Sequence, residues 1–450
     1  MFNLLLALVI TPGHGASELA ELVLCGQLPM GFLWTEPLVL PDSLLRDEPA
    51  FDDLRTASAG KSVRACYLSD TFQRAEFTAS ATYEHEGFFA VAEPFLWVGN
   101  DSLYPPRWNG VRSEWQRAFF GFSGPSFSGY WGKSPASWGP PLADRLMLDG
   151  GNFPPFDCGE IAWHNSFVRV SCFFGVLDPR LISYDIDTSQ GLQDRIVHQR
   201  FVNAHRFEFL LFHRLTLAWS EMVIYDRQGD GPEFAYFNPI NLYYALSWAG
   251  TICAEDDFKW DLDATLVLPG LLLYGEFFVD DFQYVGYDTD DSQQFAVALG
   301  AMKTLGNATL TLDYSLATRW TFNSRLSTTK ALYRGWPFGH PLGSDFQRFW
   351  ARLEVPVNPG LRVSLGASLI QDGAGSIYEH MPYEGLPDTA GTFLLDPVQV
   401  DARAWASALW RIGIFSAGLT GGYRNIANWK HAQGQDISGP YFSCEAGVSF

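Results

Sequence analysis

Along most of this chain oily and polar residues alternate one for one. In "FAVALGAMKTLGNATLTLDYSLA", Phe295, Val297, Leu299 and Ala301 share one face and Gly306-Asn307 breaks the run. Leu310, Leu312, Tyr314 and Leu316 then oppose Thr311, Asp313 and Ser315. Period two is the mark of a β-strand with two unlike faces. "ARLEVPVNPGLRVSLGASL" repeats the design: Ala351, Leu353, Val355 and Val357 stand against Arg352 and Glu354. Asn358-Pro359-Gly360 turns the chain, and Leu361 to Leu369 alternate with Arg362, Ser364 and Ser368. Pro269-Gly270 and the neighbourhood of Arg411 read as further tight turns. The last stretch, "PYFSCEAGVSF", sets Phe442, Cys444, Ala446, Val448 and Phe450 against Tyr441, Ser443, Glu445, Gly447 and Ser449.

The tight turns alternate with long polar stretches, such as Asp281 to Gln294, Ile370 to Gln399 and Arg424 to Pro440. Short turns at one end and long loops at the other are the layout of a membrane β-barrel, whose strands carry an oily outer face and a wet inner one. In lipid such a sheet must close, because an open edge leaves backbone groups without partners. The expectation is an all-β fold: a closed antiparallel transmembrane β-barrel in the cell outer membrane. "PYFSCEAGVSF" is its closing strand, and Phe450 a signal read by the barrel assembly machinery. Allowing about 22 residues per strand and its connections over the roughly 390 available gives about 16–18 strands.

The first residues differ. "FNLLLALVI" followed by "TPGHGAS" reads as a signal-peptide core with cleavage near Ala16, although no basic residue precedes it. Residues 17–70 read as a helical periplasmic or plug segment, helical over 17–60 on their spaced Leu and carboxylates, and 71–450 as the barrel.

Composition narrows the partners. A formal net charge of -20, from 30 Lys+Arg against 50 Asp+Glu, excludes nucleic acid as the natural ligand. Charged residues at 18% and aromatics at 16% oppose disorder. Cys25, Cys66, Cys158, Cys172, Cys253 and Cys444 form no CxxC and no zinc spacing, and no cofactor is expected.

Two stretches resemble a known family. "SGYWGKSPASWGPPLADRLMLDGGNFPPF" (128–156) has Trp-Gly-Pro, a short apolar strand and a Pro-rich turn. "QRFVNAHRFEFLLFHRLTLAWSEMVIYDRQGDGPEFAYFNPINLYYA" (199–245) has Ala-His-Arg, an oily hairpin, Ser-Glu and Tyr-Phe-Asn-Pro. In this order they are similar to the capsule-assembly (Wzi-type) family of outer-membrane proteins, best over residues 115–250. The resemblance implies an N-terminal helical segment, an 18-stranded barrel and a surface polysaccharide as ligand.

No HExxH, Walker A or glycine-rich dinucleotide motif is present, and "GFSGP" lacks the spacing of a nucleophile elbow, so an enzyme is not expected. Asp288, Asp290 and Asp291 read as a solvated loop rather than a cation site. The candidate ligand contacts are those a lumen or a sugar would use. Arg206 and Glu208 are expected to face inward, with Arg214 and Glu221 nearby, as a wall-stiffening ion network or as donors and acceptors for sugar hydroxyls. Tyr225, Tyr236, Tyr243 and Tyr244 read as girdle aromatics or stacking platforms. Asn238-Pro239 reads as a fixed turn. Trp131 and Trp138, in a Gly/Pro-rich loop, read as a sugar platform or a plug. The roles that fit are a glycan-holding barrel and, alternatively, a passive channel with a cation-favouring acidic lumen.

Overall fold

The computed structural model describes residues 61–449, except 70–72, 86, 100–110, 135, 141–143, 151–152, 188–191, 251, 253–254, 282–292 and 382–392. Before residue 61 it describes only Ala7–Ile10 and Leu38–Pro41, which pair as a two-stranded ribbon. The signal peptide, Asp288, Asp290, Asp291 and Phe450 lie outside the described residues. So does the helical reading of 17–60, apart from Leu38–Pro41, which is a strand.

The wall begins with β1 (Lys61–Ser69), β2 (Gln73–His85), β3 (Phe88–Gly99), β4 (Val111–Ser123), β5 (Phe127–Ser134) and β6 (Phe156–His164). It continues with β7 (Val168–Val176), β8 (Leu192–Leu211), β9 (Leu215–Arg227), β10 (Asp257–Leu268), β11 (Leu271–Asp281) and β12 (Gln294–Leu305). It ends with β13 (Ala308–Ala317), β14 (Phe346–Asn358), β15 (Leu361–Asp372), β16 (Gln399–Ile412), β17 (Phe415–Ala427) and β18 (Ile437–Ser449). Each pairs antiparallel with its neighbours, and β18 returns to β1 through Cys444↔Tyr67 and Ser449↔Ser62, closing the barrel. A further segment, Arg180–Asp187, pairs with the start of β8 just as β7 pairs with its remainder, so the two form one interrupted stave. Among the described residues the barrel therefore has eighteen staves. The first starts at Lys61, ten residues before the boundary of 71 that the alternation suggests.

Tight hairpins such as Pro269-Gly270 and Gly306-Asn307 gather at one end. Gly270 (φ 66) and Gly306 (φ 69) adopt the left-handed backbone that such a turn requires. The long connections gather at the other end, which in this layout faces the cell exterior.

Two of those connections enter the lumen. The β5–β6 connection reaches β11 across the ring, where Leu146 and Met147 donate their backbone N–H to Glu276 at 2.9 and 3.0 Å. It also reaches β14, where Arg348 binds Asp144. The β13–β14 connection meets it in the middle: Phe338 stacks edge-on against Phe153 (5.1 Å) and Phe156 (5.8 Å). Together they bury Trp138, Leu146, Leu148, Phe322, Tyr333 and Phe338 in one apolar core inside the barrel. The inward positions of the nearby strands are accordingly apolar where this core sits, as at Phe173, Val202, Met222, Leu272 and Phe278.

The β9–β10 connection goes the other way. A 3-10 turn (Phe234–Phe237) and a short helix α1 (Tyr243–Trp248) fold back over the outside of β7–β10 as a lobe. Phe201, Val223, Tyr225 and Phe258 of the wall and Tyr236 and Tyr243 of the lobe make a second core.

Candidate functional site

Alternation decides what each strand offers the lumen. On β6 to β11 the inward polar residues are sealed beneath the entering loops. Arg169 binds Glu160 at 2.6 Å and Glu208 at 3.4 Å; Arg206 binds Glu208 at 3.3 Å and Asp263 at 2.5 Å. Trp138 joins them by donating its indole N–H to Glu160 at 3.0 Å. Every member is buried. A sealed and paired network can fix loop against wall, but it offers nothing to a ligand.

Clamps from the wall hold the second loop. Arg200 of β8, wholly buried, donates to the backbone carbonyls of Thr328, Lys330 (2.6 Å) and Leu332 (2.9 Å). Within this loop His340 stacks on Phe346 (4.1 Å). Its Nδ1 accepts the Leu342 N–H at 3.3 Å, and its Nε2 lies 3.0 Å from the Ser315 hydroxyl. Burial, reinforced by the Arg348 charge, lowers the His340 pKa to about 3, so the ring is neutral.

The remaining arc, β14 to β18, is different. Phe346, Arg348 and Ile426 on its inward face are still covered, but arginines and aromatics between them meet water around two buried carboxylates. Arg352 and Arg362 (2.9 Å) share Glu354, while Arg403 (2.5 Å) and Arg424 (2.6 Å) share Asp401. The side chains of Arg352, Arg403 and Arg424 are 38%, 36% and 31% exposed. Two guanidinium groups per carboxylate leave this shelf locally positive in an acidic protein. Each guanidinium carries five N–H donors in a fixed fork, suited to hydroxyls and carboxylates. Trp350 and Trp405 lie between them, 6.4 Å apart. A Cβ on Gly366 would stand 2.2 Å from the Trp405 ring, and one on Gly422 would stand 2.7 Å from that of Tyr441, so both rings lie flat on bare backbone. Flat aromatic faces edged by charged donors can stack a sugar ring and bind its rim.

The structure does not bring the sequence-selected residues together. Arg206 and Glu208 point inward but are sealed. Arg214 is exposed in the β8–β9 turn. Glu221 points outward, where it accepts the Tyr243 and Tyr244 N–H groups (2.7 and 3.0 Å) and the Trp260 indole (2.9 Å), with His205 at 3.3 Å. It pins the lobe. Tyr225 is outward and wholly buried beneath that lobe, its hydroxyl 2.8 Å from Asn203 Oδ1. Tyr236 and Tyr243 are interior to the same core and Tyr244 packs against it, so none of the four is a free girdle or platform. Asn238 is an exposed turn residue whose Oδ1 accepts the Ile240 N–H at 3.1 Å. Trp131 is no loop residue: it lies on β5, facing out and stacked on Phe174. Trp138 is buried in the luminal core. The shelf arginines carried a sequence signal, since Arg352, Glu354 and Arg362 stand on the polar faces of alternating runs. What gathers them is cross-strand register, which pairs Arg352 with Gly366 and Arg403 with Arg424.

No family model and no curated protein matches the chain in sequence. Among solved structures it is similar to Wzi of Escherichia coli, described as an outer-membrane protein involved in group 1 capsule assembly and a carbohydrate-binding β-barrel. The TM-score is 0.66 at 12% identity, over 98% of this chain and 99% of that one. OpdK (TM-score 0.47, 9% identity, 87% of this chain and 96% of that) and OprD (0.44, 10%, 87% and 92%), both outer-membrane proteins of Pseudomonas aeruginosa, are more distant. The fold is that of an outer-membrane β-barrel, and its likeness is to the capsule-assembly barrel that the ordered motifs of 115–250 suggested.

Proposed function

We propose that this protein is a non-enzymatic outer-membrane barrel that holds or organises a surface glycan, with the β14–β18 shelf as its sugar-contacting wall. The observation that carries the reading is the water-accessible set of Arg352, Arg403 and Arg424 around Trp350, Trp405 and Tyr441, in a lumen otherwise filled by its own loops. The carbohydrate-binding description of the similarly folded Wzi agrees with it. The test is pull-down of native surface polysaccharide by the purified barrel, together with the double variant Arg403→Ala/Arg424→Ala. Retention by the wild type and loss by the variant is expected. Failure of the wild type to retain glycan, with an unchanged cell surface in a deletion strain, would sink the proposal.

The rival reading is a passive channel along the same wet arc. The shelf's positive charge would then oppose the cation preference that the overall charge suggests. Planar-bilayer recording separates the two: a stable, selective open conductance supports the channel.

A further inference from the structure

The outer wall holds a feature that neither role uses. Next to the lobe, a groove of about 480 Å³ is cut into the lipid-facing side of β4 to β7. Its sides are Phe120, Phe122, Ile161, the Trp131–Phe174 stack (6.0 Å, 8°) and Phe237 of the lobe, itself 5.0 Å from Phe174. Its floor is bare backbone at Gly129 and Gly159. A Cβ on Gly159 would stand 2.4 Å from the Trp131 ring, and one on Gly129 would stand 2.8 Å from the Glu160 carbonyl. The depression is therefore built into the strands by the glycines rather than left by a mobile side chain.

We propose that this groove holds one acyl chain of an outer-leaflet lipid. The groove is continuous with the surface the barrel presents to hydrocarbon, and Phe120, Phe122, Trp131, Ile161 and Phe174 all occupy outward positions. Its lining runs from Phe237 of the lobe, at the long-loop end, to the turn-proximal Phe122, the direction in which a chain descends from the outer leaflet. The lobe's free face is built for the same medium: Phe234, Ile240 and Trp248 are 81%, 81% and 74% exposed. Outward-facing apolar side chains of that size belong in lipid. Ordinary wall positions touch lipid on one side, whereas this groove surrounds a chain on three.

The experiment uses the full-length barrel in vesicles doped with a phospholipid bearing a diazirine in one acyl chain, followed by photolysis and peptide mapping. Adducts are expected to concentrate on the β4, β5, β6 and β7 peptides and to saturate at low mole fraction. Ile161→Trp, which fills the groove from a position already 64% exposed, should cut them about tenfold. Phe237→Ala, which removes the lobe's side of the groove, should cut them as well, and Leu419→Trp on the far wall should not. Adducts spread evenly around the wall would overturn the proposal. So would labelling unchanged in both groove variants, or a second copy of the chain cross-linked in the lipid's place.

Discussion

The strongest single handle on the luminal plug is Arg200. Its guanidinium gathers three carbonyls of the β13–β14 connection, those of Thr328, Lys330 and Leu332, while it also meets Asp178 at 3.2 Å. A hydrogen bond to a charged group is worth about 1.5–3 kcal/mol, so three carbonyl contacts hold the loop by about 4–9 kcal/mol. Arg200→Ala removes all three and leaves those carbonyls buried against an apolar gap. Taking the low end, local opening becomes about 4 kcal/mol easier, or roughly 10³-fold more frequent. The assay is hydrogen exchange of the Ala331 and Phe338 amides, which are bonded to Phe322 and Ala331 within the loop. Both should exchange faster by about that factor while the β8–β9 ladder keeps its protection. Bilayer conductance should rise in parallel, because the loop is part of what fills the lumen. Unchanged exchange at both amides would show that the clamp does not hold the loop. Simultaneous loss of the β8–β9 ladder would show that Arg200 supports the wall instead.

Acid should loosen the same loop. His340 has a folded pKa of about 3 against about 6.5 unfolded, so the neutral ring is what folding favours. Its contribution is present above pH ~6.5 and is lost as pH falls toward 3, up to about 5 kcal/mol in all. Exchange of the Leu342 amide measured against pH should show this, and His340→Phe should flatten the profile. Glu221→Ala removes the acceptor of two helix N–H groups and an indole, costing about 4–9 kcal/mol locally by the same reckoning. The lobe should then become cleavable by protease between residues 234 and 250 while the barrel remains folded, as gel mobility would report. Gly366→Ala forces the Trp405 ring off its seat without altering any charge. It should weaken glycan retention severalfold, with intrinsic fluorescence reporting the displaced ring; retention unchanged beside a shifted spectrum would rule Trp405 out as a platform.

How much of this was legible beforehand depends on which rule each residue obeys. From β12 to β18 the alternation is clean, and turns such as Gly306-Asn307 fall where the pattern breaks. β1 is hard to see in the sequence because "KSVRACYLS" carries too few apolar residues to register as an oily face. Trp131 reads as a loop residue because Gly129 and Gly132 flank it. Those glycines belong to a strand, where Gly129 helps floor the outer groove and a Cβ on Gly132 would stand 2.4 Å from the Ala118 carbonyl. The plug and the lobe were hidden for one shared reason: both appear in the sequence only as breaches of barrel parity. On β8, Asn203 and His205 sit among Phe201, Phe207 and Phe209 on the outward face, while Val202 and Ala204 sit among Arg200, Arg206 and Glu208 on the inward one. Lipid would not tolerate the first pair uncovered, nor would water explain the second. Each breach marks a place where another part of the chain replaces the expected solvent: the lobe outside, the entering loops inside. At β14 to β18 such breaches thin to a few, Phe346 and Ile426 among them, and the polar face between them meets water, which is where we place the proposed glycan shelf.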